Sequence, residues 1–202
     1  MKILSFSDNA PEGFSRVFEK QVCVFGIRVY ATAKTPDGKV LHAANVLAQY
    51  LDNDEDGVPD SPEVVAQMRR NRAAIVMFAT ARDWEEANLE TYIPGNVLSA
   101  MTLQDLYGEE THPNGALEGR FDAALEEILH LITSAGYADV YPNIFGEKPN
   151  TAVAKAMDIA RGGHFRQVPR SYPDGAWFTY YDRTCDYGCQ ITEYIYWALT
   201  SI

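Results

Sequence analysis

Residues 52–63 read Asp-Asn-Asp-Glu-Asp-Gly-Val-Pro-Asp-Ser-Pro-Glu, a run in which carboxylates alternate with other residues up to a glycine. Counted from Asp52, acids stand at positions 1, 3, 5, 9 and 12 (Asp52, Asp54, Asp56, Asp60 and Glu63), Gly57 holds position 6, and Val58 at position 7 offers its carbonyl. Such a run suits the capture of a hard divalent cation, which takes about six to eight oxygens. Alternate residues turn their carboxylates inward, the glycine permits a sharp turn, and the last Glu closes the ring from the following helix. The competing reading is a solvated acidic loop.

The run resembles the EF-hand calcium loop at each ligand position, and the resemblance implies a bound Ca2+ between two helices. Pro59, at position 8, has no N–H to donate to a partner loop, and no second run of this kind occurs in the chain. The expectation is therefore a solitary structural clip, not half of a sensor pair. Isolated loops of this type are familiar in secreted bacterial modules, so an extracytoplasmic or secreted protein is expected, with the cytoplasm as the alternative.

A second set of residues could hold a softer ion. If residues 116–134 form one helix, Leu117, Phe121, Leu125, Ile128 and Ile132 share a face, while Glu126 and His130 lie nearly opposite with Glu127 to one side. A solvated stripe is one reading. Against it, Leu129 and Leu131 flank His130, and the apolar C-terminal segment carries a solitary acid, Glu193, among Ile191, Tyr194, Ile195, Tyr196 and Trp197. A buried carboxylate needs a cation or hydrogen-bond donors.

At these residues the chain resembles a degenerate zincin, the fold of HExxH metallopeptidases. Glu126-Glu127-Ile128-Leu129-His130 keeps the Glu and the second His, with Glu126 in place of the first. The resemblance implies Zn2+ or another transition metal on Glu126, His130 and Glu193, with Glu127 as general base toward a peptide or protein substrate. His164, in Arg161-Gly-Gly-His164, is a further candidate ligand or transition-state donor, although a lone loop histidine is more often neither. A ferritin-like reading of Glu127-x-x-His130 requires a second such motif, which is absent. The competing function is a non-catalytic calcium-binding module that presents aromatic loops to a partner.

The elements that must position these groups follow from periodicity and turn chemistry. A strand is expected at 21–33, a turn at 35–38, helices at 39–51 and 62–72, and a buried strand at 73–79. Then come a short helix at 82–90, an edge strand near 97–102, the long helix 116–134 and an irregular stretch at 136–150. A helix near 151–160, a long loop at 165–188 tied down by Trp177, Tyr180 and Tyr181, and a helix at 188–201 complete the chain. The order describes one α+β domain over residues 1–202, a small N-terminal sheet with helices in a zincin-like arrangement, and a calcium-binding helix-loop-helix at about 39–72.

Seventeen basic against 28 acidic residues leave a net charge of −11. That balance repels phosphate backbones and anionic lipid, so neither nucleic acid nor membrane is an expected partner. No apolar run is long enough to span a bilayer, and MKILSFSDNAPEG lacks the pattern of a signal peptide. Cys185 and Cys189 admit three readings: a local disulfide, which their spacing favours, two buried thiols, or a thiolate metal site. Cys23 is expected to be buried in its apolar run.

Overall fold

The computed structural model describes residues 1–5 and 10–201; residues 6–9 of the N-terminal stretch lie outside that description. The fold is α+β and divides into two compact units, Met1–Leu131 and Ile132–Ile202. No helix among the described residues is long and apolar enough to cross a membrane.

The first unit is built on five strands: β1 (Leu4–Ser5), β2 (Lys20–Val24), β3 (Ile27–Ala31), β4 (Ala74–Phe78) and β5 (Leu103–Tyr107). They lie side by side in sequence order; β1–β2 and β2–β3 are antiparallel, while β3–β4 and β4–β5 are parallel. Every residue of β4 is buried, as its unbroken Ala-Ile-Val-Met-Phe run requires of a central strand. Ala74, Val76 and Phe78 pack with Phe14, Phe18, Tyr30 and Ile93, so Ile75 and Met77 turn to the other face.

The parallel pairings require crossovers, and helices supply them. Between β3 and β4 run α1 (Asp37–Leu51) and α2 (Pro62–Arg70), which flank the acidic loop; α1 packs on β2 and β3, and α2 packs on β3. Between β4 and β5 come α3 (Ala81–Ala87), α4 (Leu89–Tyr92) and α5 (Gly95–Leu98). After β5 follow the single turn α6 (Gly115–Glu118) and α7 (Ala123–Ile132).

Several expectations are corrected. The strand expected at 21–33 is two strands, folded at Phe25 and Gly26, both of which take left-handed conformations (φ 47° and 86°). Cys23 is exposed, because successive residues of a strand face opposite sides. The turn expected at 35–38 instead opens α1. Residues 97–102 are not a strand; the edge strand is 103–107. The helix expected over 116–134 is broken at Gly119, which is left-handed at φ 65° and ends α6. Leu117 and Phe121 therefore lie off α7 and are exposed, and α7 buries Ala124, Ile128, Leu131 and Ile132.

The second unit continues with a π-helical turn at Thr133–Tyr137 and a short helix α8 (Ala138–Val140), which take up the first residues of the irregular stretch expected at 136–150; 141–150 are turns and bends. Helices α9 (Ala152–Ala160) and α10 (Tyr187–Thr200) pack together. Trp177 and Tyr181 are exposed, yet the Trp177 ring meets Tyr194 of α10 edge-on and Tyr181 meets Tyr172, whose Oη donates to Tyr180 O at 2.7 Å. A backbone tie is Ala160 O, which accepts from Trp177 N (2.9 Å) and Phe178 N (3.2 Å). Arg161, fully buried, adds a second: it pairs with Asp158 at 2.6 Å, bonds Gln190, and lies over the rings of Phe165 and Tyr187. Cys185 and Cys189 form a disulfide, with Cα atoms 5.3 Å apart.

Candidate metal centres

The acidic loop begins where α1 runs out of helix. Asp52 caps it, with its N–H on Ala48 O at 2.9 Å, and is buried. Its carboxylate then folds the loop back: Oδ1 accepts from Asp56 N (3.1 Å) and Oδ2 from Gly57 N (2.9 Å). Asp54 Oδ1 accepts from Asp56 N (3.3 Å), Asp56 Oδ1 from Val58 N (2.7 Å), and Asp60 Oδ2 from Asn53 N (2.9 Å). Asp60 N bonds Leu51 O at 2.9 Å, which brings the two ends of the loop together. Gly57 is left-handed (φ 86°), yet a Cβ there would meet nothing within 4 Å, so the glycine serves conformation, not room.

Asp52, Asp54 and Asp60 each present a carboxylate oxygen, and these oxygens lie within 4.8 Å of one another. Three like charges at that separation repel unless a cation or hydrogen-bond donors stand among them. Asp56 and Glu63 do not join the group; Glu63 is exposed in the first turn of α2. The loop thus gathers three of the five acids that the spacing singled out.

Helix α7 is positioned by α1 and β5. His42 Nε2 meets Asp122 Oδ2 at 2.6 Å just before α7 begins, and Asp122 Oδ1 also accepts from His112 N at 2.9 Å. Further along, Tyr50 Oη donates to Leu125 O at 3.1 Å. Glu126, Glu127 and His130 are half-buried on this helix, so their stripe is not simply a solvated face. Glu127 Oε2 accepts from Gln104 Nε2 of β5 at 2.6 Å and lies 3.6 Å from His130 Nδ1.

Other acids crowd Glu127. Burial raises the pKa of Glu110; the Tyr107 N–H opposes that rise, and the charges of Glu127, Asp105 and Glu109 add to it. Burial, together with the hydrogen bond to Asp105, also raises that of Tyr107. Gln104, Asp105 and Glu110 went unseen in the sequence because the strand was expected to end before them.

In the second unit, Glu193 is buried midway along α10. His164 turns Nδ1 to Asp158 Oδ2 at 2.7 Å, an oxygen that also accepts from Tyr187 Oη at 3.0 Å. That leaves Nε2 as the ring nitrogen available to a ligand, and His164 belongs to no group of three metal-ligating side chains among the described residues. Set against family models, curated proteins and solved structures, the chain shows no match.

Proposed function

We propose that this is a calcium-binding protein whose loop Asp52–Glu63 holds one Ca2+ as a structural clip. The observation that carries this reading is the convergence of Asp52, Asp54 and Asp60 on a loop between two helices. The carbonyl of Val58 and the side chains of Asp56 and Glu63 would complete the oxygen shell. Excess chelator is expected to lower the melting temperature by roughly 5–10 °C, the size of effect for removing a ligand present well above its Kd from a chain this long. Glu63→Gln should mimic the chelator. A melting curve that neither treatment moves would end the calcium reading.

A second centre is proposed on α7. Glu126 and His130, one turn apart on α7, each offer an atom of the kind a transition metal takes, and a carboxylate with an imidazole suits Zn2+ among other ions. Such an ion supplies a water made acidic enough to attack a carbonyl near neutral pH. This chain's contribution is Glu127 as general base, its carboxylate steadied by Gln104. The reaction class is hydrolysis of a peptide bond, and the half-buried Glu127–Gln104 pair is the observation that favours it. The alternative is a non-catalytic calcium-binding module acting through its aromatic loops.

Metal analysis of protein prepared with zinc present separates the two. His130→Ala and Glu126→Ala should each empty the site, while Glu127→Gln should keep the metal and lose hydrolysis of a test peptide. Calcium alone in the parent would leave the non-catalytic module. A secreted setting is proposed as well, supported by the Cys185–Cys189 disulfide. A thiol reagent should count one reactive thiol, the exposed Cys23; a count of three would remove that support.

A further inference from the structure

In a chain with 28 acidic and 17 basic residues, a cavity ringed by arginines runs against the average field. Arg28, Arg69 and Arg72 line a cavity of about 300 Å3 with Tyr30, Gly26 and an apolar wall that includes Met101. Among the described residues no acid lines it, and none of the three arginines makes an ion pair.

The three arginines come from a strand, a helix end and the turn beyond it. Arg28 and Tyr30 project from the same face of β3. Arg69, at the end of α2, donates from Nε to Phe25 O at 2.6 Å, a carbonyl presented by the β2–β3 turn. A Cβ on Gly26 would lie 2.6 Å from that Nε, so a side chain there would push Arg69 out of place. Arg72 sits just beyond α2 in a left-handed conformation (φ 49°), a strained one for a residue with a Cβ, and its N–H bonds Arg69 O at 3.1 Å. Burial raises the pKa of the Tyr30 phenol, which shares the cavity lining with Arg28 and Arg72, and the charges of those two arginines oppose the rise.

Three like charges collected around one cavity repel one another, and an anion relieves that repulsion. A carboxylate satisfies one guanidinium fork with two oxygens; three forks are matched by the oxygens of a tetrahedral phosphoryl group. A nucleic acid would meet the net negative charge of the whole chain, whereas a small ligand meets only the cavity. We propose that this cavity binds a small phosphorylated compound by its phosphoryl group, held by Arg28, Arg69 and Arg72, with the rest of the molecule against the apolar wall.

Titration calorimetry on the full chain, with inorganic phosphate, glycerol 3-phosphate and sodium succinate against chloride of matched ionic strength, tests this. Saturable binding of the two phosphates is expected, with succinate weaker. Arg28→Gln and Arg72→Gln should each weaken it roughly ten- to hundredfold, the range for losing one hydrogen bond to a charged group. Arg82→Gln, outside the cavity, should not. Circular dichroism melts check that the variants fold, and Arg28→Lys and Arg72→Lys, which keep the charge but lose the fork, should bind between parent and Gln variants. Tighter binding of glycerol 3-phosphate than of phosphate supports an organic ester as occupant; equal binding supports the free ion, with the same three arginines. No saturable binding by either phosphate, unchanged binding in both Gln variants, or succinate as the tightest ligand would overturn the proposal.

Discussion

The acidic loop and the arginine cavity both gather like charges in the first unit, and they do so by different means. The loop takes its acids from twelve consecutive residues and turns them onto its own backbone N–H groups. The cavity draws Arg28, Arg69 and Arg72 from a strand, a helix end and the turn beyond it, and only Arg69 is tied down by its guanidinium, to the carbonyl of Phe25. A local site can therefore stabilise itself without an ion. A tertiary one depends on the elements that carry it.

The largest effect should come from the loop's own scaffold. Asp52→Ala strips Gly57 N of its acceptor and Asp56 N of one of its two from a buried position, and an expected loss of roughly 3–6 kcal/mol follows from two hydrogen bonds to a charged group. Urea denaturation in chelator isolates that loss from any ion; if it vanishes there, the loop does not stabilise itself.

Next come two glycines with the same φ of 86°. Gly57→Ala should cost about 1–2 kcal/mol, the penalty for a Cβ in the left-handed region. Gly26→Ala carries that penalty and also displaces Arg69, so about 1 kcal/mol more is expected for the lost hydrogen bond. Calcium affinity should fall only in the first variant and phosphate affinity only in the second. A larger stability loss at Gly57 would invert the comparison.

The smallest effect concerns an acid satisfied by protein donors instead of an ion. Burial acts to raise the pKa of Asp122, but its bonds to His42 and to the N–H groups of His112 and Ala124 outweigh burial and hold it below the ordinary carboxylate value. The unfolded chain then takes up the proton first. Stability from this group is complete above the ordinary carboxylate range and is lost as pH falls through the lower folded value. Asp122→Asn should flatten the acid limb of a melting-temperature profile, and chelator should leave that limb alone; profiles that superimpose for parent and variant would remove the group from the account.

Elements with strong periodicity were legible in the sequence: α1, α2, β4, α9 and α10 fall within a few residues of expectation. The acid spacing of residues 52–63 was legible for the same reason, since its meaning is local. The β2–β3 turn was not, because Phe25-Gly26 carries none of the Asn or Asp that usually announces a tight hairpin. Nor was the break at Gly119, inside a stretch whose apolar residues happened to keep helical spacing on either side. The edge strand was placed too early, which hid Gln104 and the acids around Glu127. The arginine cavity lay beyond sequence reading altogether: positions 28, 69 and 72 become neighbours only once α2 packs on β3.

That packing has a consequence for ligand traffic. Helix α2 begins at the last residues of the acidic loop and ends at Arg69 and Arg70, nine residues that span roughly 13 Å at helical rise. Its first turn carries Glu63 and its last turn two arginines, each charge favourable to the helix dipole at that end. If the proposed cation and anion both bind, they share a single rod. Any factor that calcium then applied to anion affinity by fixing the start of that rod, the anion would return to calcium affinity, because coupling between two bound ligands is reciprocal.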